Sequence, residues 1–336
     1  IFFEIYTIDL FITLLITLYL IYSCLGKNEM IRSNDNIRNI AIIAHVDHGK
    51  TTLVDALFRQ SGLALKDIDQ DRIMDSGDIE RERGITISAK NCAIHWKGVK
   101  INIIDTPGHA DFGGEVERGL SMVDGVVLLV DSAEGPLPQT RFVLEKALLK
   151  NLPVIVVINK IDRADARPDE VLDEVYDLLL ELSNDEAMLD VPVFYANGRE
   201  GKCGKSIDTV EDNMYPLLDA ILENIPAPLY DDEEPFQMLV SDLSYSDFLG
   251  RLAVGKVING TANTNDSLIC IKEDRNETLR VTRLQSYDGP TFKETTDVEP
   301  GDIIVLSGVN DVSIGDTICT KEEIKALPRI KVDEPT

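Results

Sequence analysis

The chain has 336 residues and a formal net charge of −26. That length accommodates two domains with separate cores. So large an acidic excess excludes a broad basic surface for gripping nucleic acid, and DNA is not an expected partner, although a local contact with RNA stays open. Five cysteines (Cys24, Cys92, Cys203, Cys270, Cys319) stand far apart. Their spacing makes neither a metal set nor a disulfide framework, which fits a reducing, cytoplasmic compartment.

Residues 1–25 differ in composition from the rest of the chain. The run 10–25 is uncharged and long enough to suggest a membrane segment. Residues 1–25 nevertheless lack Ala, Val, Gly, Pro and Arg altogether. Spanning helices use Gly and Ala freely, and a secretory signal needs a basic start that is missing here. The bias is what reading an AT-rich stretch of DNA would produce, and Met30 stands just ahead of the first expected strand. Residues 1–29 therefore read as an upstream extension outside the working protein, with a membrane anchor as the alternative.

The apolar run 40–44 leads into His45-Val46-Asp47-His48-Gly49-Lys50-Thr51-Thr52 and then an amphipathic segment with Leu53, Ala56 and Leu57. Strand, loop, helix is the context of a phosphate-binding loop. Backbone N–H groups and the helix N-terminus attract an anion, Lys50 can reach β- and γ-phosphates, and the Thr51 hydroxyl suits Mg²⁺. Ala44 stands where such loops usually begin with glycine, so it must keep a negative φ. A plain surface turn before a helix is the alternative at this stage.

Further apolar runs at 101–104, 125–130, 154–158 and 191–195 read as buried strands. Helical patterns at 140–149 and 169–182 lie between them. The expectation is a doubly wound, mostly parallel α/β domain whose ligand sits beyond the strand C-termini. Asp105-Thr106-Pro107-Gly108-His109 follows the strand at 101–104, where Asp105 could hold Mg²⁺ through water and the Gly108 N–H could meet a γ-phosphate. Arg83-Gly84-Ile85-Thr86-Ile87 supplies a threonine, Thr86, that could complete the Mg²⁺ shell, although an ordinary strand-start threonine explains it as simply. Asn159-Lys160-Ile161-Asp162 ends the strand at 154–158. A carboxylate at Asp162 accepts two hydrogen bonds from guanine N1–H and its amine, which adenine cannot offer. Asn159 would tie loops together and the Lys160 stem would lie along the base. The combination points to GTP or GDP with Mg²⁺.

These motifs, with Glu80–Thr86 and Asp105–Phe112, resemble those of the translational GTPases. Within that family, 111–118 and 134–144 resemble a ribosome-binding branch. The resemblance implies a monomeric GTP hydrolase that works on the ribosome, through rRNA and ribosomal proteins. It implies that His109 orients the attacking water and that Val46 and Ile85 form an apolar gate. The family's Ser-Ala in the last base-contacting loop falls on Asn197-Gly198 here. Gly198 would offer its N–H to guanine O6, and Asn197 would brace the loop in place of a serine.

Pro226, Pro228 and the acidic run 231–234 read as a solvated tether. Beyond Pro235, short apolar runs at 236–240, 252–258, 268–271, 279–284 and 303–306 alternate with turns, the pattern of an all-β barrel. The expected division is 30–229 for the GTP-binding domain and 230–327 for the barrel. Residues 328–336 would start the link to the third domain that the family carries.

Overall fold

The computed structural model describes residues 31–62, 90–106, 113–183, 185–296, 298–309 and 311–330. In chain order, β1 (Ile31–Ser33) and β2 (Ile37–Ala44) precede helix α1 (Lys50–Gln60). A hairpin of β3 (Lys90–Trp96) and β4 (Val99–Asp105) comes next, then α2 (Gly113–Leu120) and β5 (Gly125–Asp131). The α/β part continues with α3 (Pro138–Leu149), β6 (Val154–Asn159), α4 (Pro168–Ser183), β7 (Val193–Asn197), β8 (Lys202–Gly204) and α5 (Tyr215–Asn224). Proline opens α3 and α4, where its missing N–H costs nothing and its fixed φ suits the helix.

These strands form a seven-stranded sheet in the order β3-β4-β2-β5-β6-β7-β8. The five central strands run parallel, and β3 and β8 close the edges antiparallel. Alternation along β2 explains the two helical layers. Ala41 and Ile43 face one core with Val116, Val143, Leu144 and Val171 of α2, α3 and α4. Ile40 and Ile42 face the other, with Leu53 and Leu57 of α1 and Leu217 and Ile221 of α5. A period of two buries both faces of a parallel strand, so the sequence shows an unbroken apolar run.

The remaining strands are β9 (Leu229–Asp231), β10 (Gln237–Ser246), β11 (Gly250–Asn259), β12 (Ser267–Ile271), β13 (Asn276–Arg280), β14 (Arg283–Asp288), β15 (Thr291–Thr295), β16 (Ile303–Ser307) and β17 (Thr317–Cys319). From β10 onward they form an antiparallel sheet in the order β13-β12-β17-β10-β11-β16-β14-β15. Met238, Val257, Leu268, Leu284, Ile304 and Ile318, from six of those strands, meet in one core. The chain thus carries an α/β domain followed by an all-β domain.

Two local expectations change. The apolar run 279–284 is two strands, because Leu279 pairs with Leu268 of β12 while Leu284 pairs with Leu306 of β16. Both side chains enter the same core, so the sequence reads them as one run although the ladder changes partner between them. The acidic stretch after Pro228 is not a free tether. Leu229–Asp231 pairs antiparallel with Ile31–Ser33, Asp232 binds Arg32 at 3.0 Å, and Glu234 binds Lys325 at 2.8 Å.

The two domains meet through buried polar groups. Ala93 and Gly289 exchange backbone hydrogen bonds of 3.0 and 2.9 Å, joining β3 to the β14–β15 turn. Asp302 accepts from Lys100 at 2.7 Å, Asn102 at 3.1 Å and Ser286 at 3.1 Å. Asn39 donates to Asp124 and to the Gly301 carbonyl at 2.7 and 2.9 Å, and Lys256 donates to the same Asp124 at 2.6 Å. The N-terminal ends of β2 and β4 are thereby fastened to the β domain. Their C-terminal ends point to the opposite edge of the sheet, where the candidate site lies.

Candidate functional site

At that edge the turn after β2 is shaped by its own hydrogen bonds. The His48 N–H donates to the His45 carbonyl at 3.2 Å, and the Leu53 N–H donates to the Gly49 carbonyl at 2.9 Å. Ala44 lies in β2 and keeps a negative φ, as its residue type requires, while Asp47 (66°) and Gly49 (93°) take up the left-handed turn. Gly49 is demanded twice: by that φ, and by space, since a Cβ there would lie 2.5 Å from Asn159 Nδ2.

Lys50, the first residue of α1, reaches across to β4. Its ammonium lies 2.7 Å from Asp105 Oδ1 and also donates to the Thr106 carbonyl. Both side chains are buried. The Thr106 hydroxyl in turn donates to the Ile42 carbonyl at 3.0 Å, so the ends of β2 and β4 are tied side by side. Thr51 is half-buried and Thr52 exposed, both in the first turn of the same helix.

Asn159 sits at the end of β6 and binds two loops at once. Its amide donates to the His48 carbonyl at 2.9 Å, and its carbonyl accepts the Gly198 N–H at 3.0 Å. That N–H, which the sequence suggested for a base oxygen, is engaged by Asn159 in this geometry. Asn197 Oδ1 accepts the Glu200 N–H at 3.1 Å and so braces the turn after β7. Gly49, Thr52, Asn159, Lys160, Asp162, Asn197 and Gly198 all line one cleft of about 600 Å³. Asp162 is exposed along it.

The wall behind the cleft is charged. Asp131, the last residue of β5, is completely buried and takes Lys160 at 2.7 Å and Arg163 at 3.0 Å. Burial pushes its pKa up, but the Lys160 and Ala133 hydrogen bonds and the charges of Lys160 and Arg163 outweigh that, leaving it below the usual aspartate value. His48 is fully buried beside it, accepting the Asp131 N–H at Nδ1 (3.3 Å) with Nε2 3.7 Å from Glu134. Burial and the neighbouring His45 ring, 5.2 Å away, lower the His48 pKa against the opposing pull of Asp131, the Leu129 backbone and Glu134. The imidazole is therefore neutral near pH 7.

The structure brings together His45, Val46, Asp47, His48, Gly49, Lys50, Thr51, Thr52, Asp105, Asn159, Lys160, Asp162, Asn197 and Gly198 at one sheet edge. Ile85, Thr86, Gly108 and His109 lie outside the described residues. Sequence reasoning passed over Asp131, Arg163 and Glu134. A carboxylate closing the wholly apolar run of β5 was the available signal for the first of these.

A glycine-turned loop before a helix, a lysine aimed at a strand-end aspartate, and an Asn-Lys-x-Asp turn on the same cleft define a phosphate-loop nucleotide-binding domain. The family described as elongation factor Tu GTP binding domain matches residues 35–227, and elongation factor G domain 2 matches residues 235–321. The chain belongs to the translational GTPases that share this GTP-binding domain. Proteins called large ribosomal subunit assembly factor BipA are similar to it. The one from Bacillus subtilis is 49% identical over 304 residues, covering 90% of this chain and 50% of the relative. That from Synechocystis is 50% identical over 302 residues, covering 89% and 51%. The stretches 111–118 and 134–144 resemble the same branch, also known as TypA. The chain spans about half the length of these relatives. Among solved structures, elongation factor SelB from Methanococcus maripaludis, in complex with the GTP analogue GppNHp, matches with a TM-score of 0.63 at 21% identity. It covers 85% of this chain and 55% of that one, and at this identity it speaks for the fold alone.

Proposed function

We propose that this chain binds GTP with Mg²⁺ and hydrolyses it to GDP and phosphate as a ribosome-associated GTPase of the BipA type. The observation that carries the reading is the convergence on Asn159, whose one side chain holds both the loop ahead of Lys50 and the turn at Gly198 around a single cleft. A nucleotide needs that arrangement, with phosphates at one end and a base at the other. The relatives' name, large ribosomal subunit assembly factor, supports the ribosome as partner.

In this reading the N–H groups of 45–51 and the Lys50 ammonium hold the phosphates. The Asp162 carboxylate selects guanine, while the Lys160 stem and the Asn197–Gly198 turn frame the base. Thr51, Asp105 and Thr86 would hold the metal. Hydroxyl and carboxylate oxygens are the donors Mg²⁺ prefers, and it needs few of them when phosphates and water supply the rest. Bound there, the metal would neutralise charge developing between the β- and γ-phosphates. His109 would orient the attacking water, with Val46 and Ile85 gating its approach. We take the domains as 30–229 and 230–327.

The test is GTP hydrolysis measured with and without ribosomes, in the parent and in His109→Ala. The expected result is stimulation in the parent that falls about 10²–10⁴-fold in the variant, the usual effect of losing a group that assists proton or water positioning. Equal stimulated rates would remove His109 from the mechanism, and absence of stimulation in the parent would leave a nucleotide-binding fragment without productive turnover. In parallel, Asp162→Asn is expected to weaken GTP and favour xanthosine triphosphate, whose O2 can accept the new amide. Parent-like GTP affinity would overturn the guanine assignment.

A further inference from the structure

Asp131 belongs to no nucleotide motif, yet it is a heavily engaged carboxylate behind the cleft. It takes the Lys160 ammonium at 2.7 Å, the Arg163 guanidinium at 3.0 Å and the Ala133 N–H at 2.8 Å. Its own N–H donates to His48 at 3.3 Å. The same Lys160 ammonium donates onward to the Asp47 carbonyl, in the turn ahead of Gly49. Lys160 and Asp47 both hold left-handed φ values, 60° and 66°. Residues with a side chain keep that backbone only where their surroundings hold them to it.

A purely structural ion pair is the plainer explanation and has to be weighed. Buried pairs contribute little net stability on average, so stability alone is a weak reason for one here. The location argues further, because Lys160 is not in a core. It lines the cleft with nearly a third of its side chain exposed, while Asp131 behind it is wholly buried.

We propose that Asp131 is a positioning residue for nucleotide binding, fixing the Lys160 ammonium against Asp47 so that the base turn and the phosphate loop stay at a set separation. Asp131 itself touches no nucleotide atom; it acts through Lys160. The inference rests on the guanine-nucleotide reading above, and it adds a residue to that site.

The experiment titrates the full chain with GDP and, separately, with inorganic tripolyphosphate, which has no base. Asp131→Asn should weaken GDP about tenfold or more, the effect of losing a charged hydrogen bond, chiefly through faster dissociation. Tripolyphosphate affinity should stay within about twofold, since the loop keeps its bonds to Asn159. Lys160→Gln should weaken GDP to a similar extent. The double variant should be no weaker than Lys160→Gln alone, because a residue acting through Lys160 has nothing left to position.

Effects that multiply in the double variant would overturn the proposal. So would an Asp131→Asn protein that fails to fold, which would make the carboxylate structural. Lys160→Gln is a change at the cleft surface, and parent-like GDP binding by that variant would overturn the proposal by itself. A parent that binds no GDP would instead bring down the nucleotide reading, and this inference with it.

Discussion

Two lysine–aspartate pairs flank β4, and they differ in what surrounds them. Lys100 and Asp302 meet at 2.7 Å at the domain junction, and Lys50 and Asp105 meet at 2.7 Å at the candidate site. At the junction the carboxylate also takes Asn102, Ser286 and the Ile303 N–H, all within the protein. At the site the lysine spans a carboxylate and one backbone carbonyl at the base of a loop whose neighbours line an open cleft. The same chemistry serves two ends. A network enclosed between the two domains fixes how they dock, whereas a lysine held at a loop mouth stands where an anion can compete for it.

The sharpest way to break this comparison is at the junction. Asp302→Ala leaves the Lys100 ammonium without its counter-charge in a largely buried setting and is expected to cost about 3–5 kcal/mol, the penalty for removing one partner of a buried pair. Urea unfolding checks it. A loss below about 1 kcal/mol, the scale of an exposed pair, would mean that the network does not lock the domains.

At the site the matching change should act on the ligand. Lys50→Met is expected to weaken GDP about a hundredfold, the upper range for a hydrogen bond to a charged group, as read by titration calorimetry. An affinity within a factor of three of the parent would place the phosphates elsewhere.

His48 distinguishes the two regions by pH. Its pKa is lowered on folding by burial and by His45, so near pH 7 both folded and unfolded chains hold it mostly neutral. As pH falls through the unfolded value, about 6.5, the unfolded chain takes the proton first and stability drops. The contribution is present above that pH and lost below it, down to the folded pKa. His48→Gln should therefore show a shallower fall in stability between pH 7.5 and pH 5.5 than the parent. Identical slopes in urea melts at the two pH values would contradict a buried neutral His48.

The smallest effect belongs to Gly198. Its φ is not left-handed, and an added Cβ would meet Asn159 Oδ1 at 3.3 Å and Leu53 Cα at 3.5 Å, a tight but tolerable fit. Gly198→Ala should shift stability by less than about 1 kcal/mol, with the lost freedom of the unfolded chain offsetting the crowding. Gly49→Ala, with a φ of 93° and a contact at 2.5 Å, should not be tolerated in the same way. Thermal melting of the pair gives the contrast.

Much of the α/β domain was legible because parallel strands buried on both faces leave unbroken apolar runs, as at β5 and β6. The edge strands β3 and β8 were not, since Lys90, Asn91 and His95 interrupt one and the other spans only Lys202–Gly204. In the β domain, a run that kept one core while changing ladder partner hid the break between β13 and β14.

Lys50, Asp105, Asn159 and Asp162 could be picked out from sequence because each follows a strand end at a spacing that phosphate and base chemistry demand. Those choices are local: a turn needs its glycine, and a helix start needs its donors. The partners Asp131, Arg163 and Asp302 had no such local mark. Asp131 meets Lys160 across adjacent parallel strands, and Asp302 meets Lys100 and Asn102 from about two hundred positions away. Pairing of that kind depends on sheet order and on how two domains dock. Only the tertiary structure decides those, because burial turns a charge that water would otherwise satisfy into one that must find its partner.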